Sequence, residues 1–198
     1  SAASDVYKRQ VLCFMFFMCG TVSAKNISTV STEYNGALTL IPNVYVQHQF
    51  VNVTYDDNST ARYAAYCFES NKLEYQSTTN LHLTENITDV GYFYISEHGY
   101  QTNHAATFSG ATGTEATDYY ITQMALWWYQ DLVNGVPDSS SGSLEALFKN
   151  GTYSGDSKTI HDAIKSFAYA AKSYHDTGKT IDTSSATICL LYTSDAAD

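Results

Sequence analysis

The sequence predicts an α+β fold: a β-sandwich or β-barrel-like sheet with an inserted or following α-helical subdomain. Three observations carry that reading. Residues 44–55 and 61–68 show the two-residue alternation of strands. Residues 118–133 and 157–175 place apolar side chains at helical spacing. Strand patterns come first and mostly helical ones follow, the order expected of α+β rather than of alternating units. No internal repeat is visible.

Residues 25–43 read as an extended lead-in, with Asn35-Gly36 and Pro42-Asn43 as turn signals. Val44, Val46, His48 and Phe50 alternate with Tyr45, Gln47 and Gln49; Val51, Val53 and Tyr55 then continue after a change of phase, the pattern of a strand with a bulge. Asp56-Asp57-Asn58-Ser59 breaks the run as a turn, and Ala61 to Phe68 returns as a second strand, so a hairpin is expected with Cys67 near its far end. Val90 to Ile95 fits either a strand or a helix leading to Gly99-Tyr100. Residues 101–114 are a polar, Gly- and Thr-rich loop. Thr114 or Thr117 is placed to N-cap a helix over Asp118 to Val133, stopped by Asn134-Gly135 and Pro137, with Gln123 in its first two turns. Leu144, Leu147 and Phe148 form a short helix closed by Asn150-Gly151. A longer helix, capped by Ser157, runs through His175 and ends at Gly178.

The ends belong to something else. A DNA that encodes Cys189 to Asp198, read on its opposite strand, gives Ser1 to Arg9 and the start of the Gln10 codon. Residues 1–10 and 189–198 therefore resemble translated sequencing adapter and stand outside fold reasoning. Val11 to Gly20 is an apolar run too short to span a bilayer, followed by Thr21-Val22-Ser23-Ala24 with small residues at the positions of a cleavage site. Residues 11–24 are thus expected to be a truncated secretory signal peptide cut after Ala24, leaving residues 25–188 as one domain. A lipoprotein anchor at Cys19 fits less well, because Phe16-Phe17-Met18 stands where small residues are wanted.

The whole chain holds 10 basic and 20 acidic residues, a formal charge of −10. Without Asp5, Lys8, Arg9, Asp195 and Asp198 these become 8 and 17, or −9. A chain so acidic lacks the electrostatic footprint for nucleic acid or an anionic lipid surface. Abundant Thr, Ser, Asn and Tyr with little Lys suit an extracellular β-rich module. The five N-x-S/T sequons, at Asn26, Asn52, Asn58, Asn86 and Asn150, would bear glycans only in a eukaryotic secretory host. Of the four cysteines, Cys13 and Cys19 fall in the leader and Cys189 in the adapter-like end. Cys67 is left alone: an inert buried thiol, an intermolecular link or a reactive centre.

Two motifs bear on that choice. Tyr66-Cys67-Phe68 is an aromatic-Cys-apolar strand segment, and Thr122-Gln123-Met124-Ala125-Leu126-Trp127 is a T-Q-x-A segment followed by an apolar residue and Trp. Together, in this order, and with the Val90-to-Gly99 stretch between them, they resemble the thioester domains of Gram-positive bacterial surface adhesins. The resemblance covers roughly residues 33–188. It implies that Cys67 and Gln123 condense, with loss of ammonia, into an internal thioester that acylates a nucleophile, a lysine amine above all, on a host or cell-surface protein. It also implies one autocatalytic event and no catalytic turnover, no cofactor and no metal. By the same resemblance this is a domain of a longer exported protein, with immunoglobulin-like stalk domains and a sortase-type cell-wall anchor downstream.

The residues leave other readings open. Cys67 with His98 or His104 would make a secreted Cys-His hydrolase, although such nucleophiles commonly start a helix rather than end a strand. Trp127, Trp128 and Tyr129 would serve a non-covalent glycan- or protein-binding module if they were exposed; in an amphipathic helix they are more often core. His48, His82, His98, His104, His161 and His175 show no metal-binding spacing. The Gly110-Ala111-Thr112-Gly113 loop lacks the Lys of a phosphate cradle.

Overall fold

A computed structural model describes residues 11–16, 26–68, 81–102, 104–149, 153–180 and 187–193. The fold is α+β. In chain order it comprises β1 (Val11–Phe16), β2 (Ile27–Ile41), β3 (Val44–Tyr55), β4 (Thr60–Ala65), β5 (Leu81–Ile87), α1 (Val90–His98), α2 (Glu115–Val133), α3 (Leu144–Lys149), α4 (Asp156–Asp176) and β6 (Thr187–Thr193). The strands form two three-stranded sheets, ordered β2-β3-β4 and β1-β6-β5. The chain divides into two compact units, residues 1–35, 49–87 and 183–198 in one and residues 36–48 and 88–182 in the other.

In the first unit β3 and β4 pair antiparallel in unbroken register from Gln49↔Ala65 to Thr54↔Thr60. Their connection is built by Asn58 at φ 62° and by Asp57, whose carboxylate accepts the Ser59 amide at 2.9 Å. Val30, Val51, Val53, Tyr55 and Ala65 form the core, with Ala61 and Tyr63 against it. Tyr55 and Tyr63 share a hydroxyl hydrogen bond of 2.9 Å, and burial pushes the Tyr63 phenol up. Arg62 forks onto Glu33, Nε to Oε2 at 3.1 Å and Nη2 to Oε1 at 2.6 Å, while its guanidinium lies 3.4 Å from the centre of the Phe50 ring. That one side chain ties β4 to β2 and β3. In the second sheet β6 pairs antiparallel with both β1 and β5. β1 falls within the segment expected to be a leader, and β6 runs across residue 189, where the adapter-like end begins. The expected cleavage point at Ala24 lies outside the described residues.

The second unit is helical, with the β2–β3 hairpin tip as its only sheet among the described residues. Pro42 and Asn43, the latter at φ 63°, make the tip, Pro presetting its own φ and Asn tolerating the left-handed position. The lead-in expected to turn at Asn35-Gly36 instead continues as strand: Gly36 takes φ 90° inside β2 and lets the strand pass without stopping. The β3–β4 ladder shows no bulge between Gln49 and Thr54. Val44, Val46 and His48 are buried in this unit, Val51, Val53 and Tyr55 in the other, so the change of phase marks where the strand passes between them.

α2 is the axis of this unit. Asp118 to Tyr129, twelve successive residues, are all buried, so the helix has no solvent face over that stretch. α1, α3 and α4 pack on it. The hairpin tip is fastened to it by Tyr119 and Tyr120, whose hydroxyls donate to Gln47 O at 3.0 Å and Val44 O at 2.9 Å. Burial raises the Tyr120 phenol far above its ordinary value. α4 presents Ala163, Ile164, Phe167, Ala168 and Ala171, one buried stripe. Gly155 rather than Ser157 occupies its N-cap; Ser157 lies in the first turn and donates to Leu40 O at 3.3 Å. α3 is started by Ser143, whose Oγ accepts the Ala146 amide, and by Asp131, which accepts the Leu144 amide at 2.6 Å.

α1 settles the ambiguity of residues 90–95 in favour of helix. Asp89 caps it, accepting from Gly91 N at 2.8 Å and Tyr92 N at 3.3 Å, and Gly99 closes it with its amide on Ile95 O at 2.7 Å. Neither glycine has room for a side chain: α2 blocks Gly91, and both the Ile95 carbonyl and α2 block Gly99. A Cβ at Gly91 would fall 2.1 Å from Tyr129 Cζ, and one at Gly99 would fall 2.5 Å from Thr122 Cγ2.

Candidate functional site

Cys67 stands two residues beyond the end of β4, slightly outside the strand expected to carry it. The backbone leaves the β3 ladder at Ala65, and Tyr66 and Cys67 are buried at once, Cys67 to 5 % exposure. It forms no disulfide among the described residues. β4 is therefore a rigid arm that delivers a thiol out of water. Residues 69–80 lie outside the described residues.

Gln123 is 1 % exposed and sits in α2. Because the helix begins at Glu115 rather than Asp118, Gln123 occupies the third turn and not the first two. The free N–H groups at the helix start are thus more than a turn away from Gln123 along the axis. The reason is Thr114, which takes the N-cap position with extended backbone and no side-chain cap, letting Glu115 and Asp118 both enter the first turn. Glu115, Tyr119, Gln123 and Trp127 follow at four-residue intervals along α2. Trp127 is 9 % exposed.

Two residues missed in the sequence hold this part of α2. Asp118, fully buried, binds the preceding loop: Oδ1 accepts from Thr112 N at 2.7 Å and Thr112 Oγ1 at 3.0 Å, Oδ2 from Gly113 N at 3.0 Å. The Gly110-to-Gly113 loop is therefore a seat for an internal carboxylate. Thr122, also fully buried, donates through Oγ1 to Asp118 O at 2.7 Å and accepts from Tyr100 N at 2.9 Å. The four-residue interval between Asp118 and Thr122 was the available signal, since a helical Thr can bond back to the carbonyl one turn earlier.

The alternative site residues fall as follows. His98 ends α1, with Nδ1 2.9 Å from Thr107 Oγ1 and its ring 4.3 Å from that of Tyr94. His104 is exposed, in an isolated bridge with Gln101. Trp128 and Tyr129 are wholly buried and offer no stacking face; Trp128 Nε1 donates to Asp138 Oδ1 at 3.0 Å. Tyr129 donates to Asp89 Oδ1 at 2.5 Å and meets His175 Nδ1 at 2.9 Å, and burial followed by the Asp89 contact raises its phenol strongly. Among the described residues no group of three or more His, Cys, Asp or Glu side chains is placed to hold a metal, and no helix is long and apolar enough to cross a membrane.

Cys67 and Gln123 belong to different units and both are buried, the first just beyond β4 and the second in the middle of α2. The family model of the thioester domain matches residues 64–170, more than half of the chain and a span that contains both. The chain belongs to the thioester domain family, the thioester modules of surface adhesins. No curated protein and no solved structure matches it.

Proposed function

We propose that this domain bonds covalently to its target through a Cys67–Gln123 thioester. The Cys67 thiol, as thiolate, adds to Gln123 Cδ; the tetrahedral adduct expels the carboxamide nitrogen, which leaves as ammonia with the thiol proton. A lysine amine of a host or cell-surface protein then adds to the same carbon, and Cys67 leaves as thiol behind an isopeptide bond. Each molecule acts once. The observation that carries the reading is the family match over a span holding both motifs, with each side chain buried in its own unit. Burial suits both demands on a thioester: it shields the bond from water and leaves an amine to enter only where access is granted.

Intact mass tests it. The domain should weigh about 17 Da less than its sequence, one ammonia, and the deficit should vanish in Cys67→Ala and in Gln123→Ala. Methylamine should add about 31 Da to the thioester form, leaving an N-methylated carboxamide at residue 123 about 14 Da above the sequence mass, and discharge the thiol. Full sequence mass with an alkylatable Cys67 would overturn the proposal; hydrolytic activity lost on His98→Ala or His104→Ala, without any deficit, would point to the hydrolase instead. Export by the leader at residues 11–24 and display at the cell surface complete the reading. N-terminal sequencing of secreted protein should then begin at Lys25.

A further inference from the structure

We infer that Thr122 is a positioning residue for the reaction at Gln123, acting through the hydroxyl that fastens Tyr100 to α2. The inference rests on the thioester reading. Thr122 Oγ1 spends its proton on Asp118 O and its lone pair on Tyr100 N, at 2.7 and 2.9 Å. The first bond adds a second donor to a carbonyl already within the helix ladder, in the turn that leads into Gln123. The second bond pins the backbone just after α1 to the residue adjoining Gln123. Three further contacts show that this seat is built. Gly99 leaves room for Thr122, since its Cβ would meet Thr122 Cγ2 at 2.5 Å. The Tyr100 ring lies 6.1 Å, edge-on, from Tyr119, the residue one turn before Gln123. Gln101 secures the same segment by donating to Ser96 O at 2.7 Å. The segment from Gly99 to Gln101 is thus held along the turn of α2 that presents the carboxamide, and the Thr122 hydroxyl is the joint.

An acyl carbon displaced by about 1 Å from its attacking sulfur can lose on the order of a hundredfold in rate. Loosening the joint should therefore slow ammonia loss more than it weakens the fold. The test compares Thr122→Ser, which keeps the hydroxyl, with Thr122→Ala, which lacks only that oxygen by comparison, and with Thr122→Val, which keeps the volume. The 17-Da deficit is followed with time after refolding, alongside circular dichroism and Tm. Serine should match the wild type; alanine and valine should form the thioester on the order of tenfold more slowly while folded. Ile164→Val, a packing change on α4, serves as a control that lowers Tm without slowing the deficit. Equal rates in the serine and alanine variants overturn the inference, as does an equal slowing in Ile164→Val. Should alanine fail to fold, valine against serine decides. A wild type without any deficit removes the thioester reading and this inference together, whereas a wild-type deficit matched by alanine removes the inference alone.

Discussion

Gly91 sits in α1 directly against the Tyr129 ring of α2. A methyl group there would land 2.1 Å from Tyr129 Cζ and 2.2 Å from its Oη, so the ring must turn away and surrender its bonds to Asp89 and His175. Gly91→Ala should cost about 1–3 kcal/mol in urea unfolding, the usual range for overpacking, with hydrogen-bond loss moving it toward the upper end. Tyr129→Phe removes the hydroxyl in advance, so in that background the same substitution should cost less. A double-mutant cycle reads the difference, and strict additivity would show that the hydroxyl network plays no part.

Between elements, α4 is joined to the loop after α2 by Lys165. Its ammonium sits 3.0 Å from Asp138 Oδ2 and 3.6 Å from Glu145 Oε1, and Tyr169 and Trp128 also donate to Asp138. Partial burial alone would raise the Asp138 carboxyl, but the hydrogen bonds from Lys165, Trp128 and Tyr169 outweigh it and hold the group below its ordinary 3.8. Burial would likewise lower Lys165, yet the Asp138 bond and the Glu145 charge keep it above 10.5. The signs fix the window. Asp138 contributes stability present above 3.8 and lost as pH falls below it; Lys165 contributes stability present below 10.5 and lost as pH rises beyond it. Asp138→Asn should therefore lower Tm at neutral pH and flatten the acid side of the Tm profile, whereas an unchanged acid limb would place its origin elsewhere. Sequence pattern found α4 because it buries one face, and one-sided burial is what periodicity reports; β3 and β4 were found from alternation that the burial follows only in part. It misplaced the start of α2 because Asp118, an apparent surface acid, is buried, and because a helix buried all round has no polar face to time its turns. It left α1 undecided because Val90 to Ile95 is apolar throughout, although Asp89 stood at the capping position. Cys67 and Gln123 were proposed from their motifs; the interval between Asp118 and Thr122 signals only the bond back along the helix, while the loop amides on Asp118 and the Tyr100 amide on Thr122 are backbone partners that no spacing discloses.

At the scale of the whole molecule, the proposed bond would link residue 67 of one unit to residue 123 of the other. A cross-link that closes a loop of that length should stabilise the chain by about 4 kcal/mol through the entropy of the unfolded state alone. Methylamine cuts the link without altering any residue but the acylated one. Treated protein should thus unfold at lower urea than untreated protein, and treatment should leave Cys67→Ala unmoved. Identical midpoints before and after treatment would mean that the link adds nothing to stability. The same covalent logic bears on how such a domain changes over generations. From Asp118 to Tyr129 every residue is enclosed, so any substitution there is felt in the packing and the segment that bears the carboxamide of the proposed bond has little freedom to drift. The stretches 104–114 and 134–142 are largely exposed, and apart from Phe108, the Thr112–Gly113 seat of Asp118 and Asp138 their positions carry little such constraint. On the proposed reading, adaptation to a new target falls to their free positions, while the chemistry stays fixed in the helix that tolerates least change.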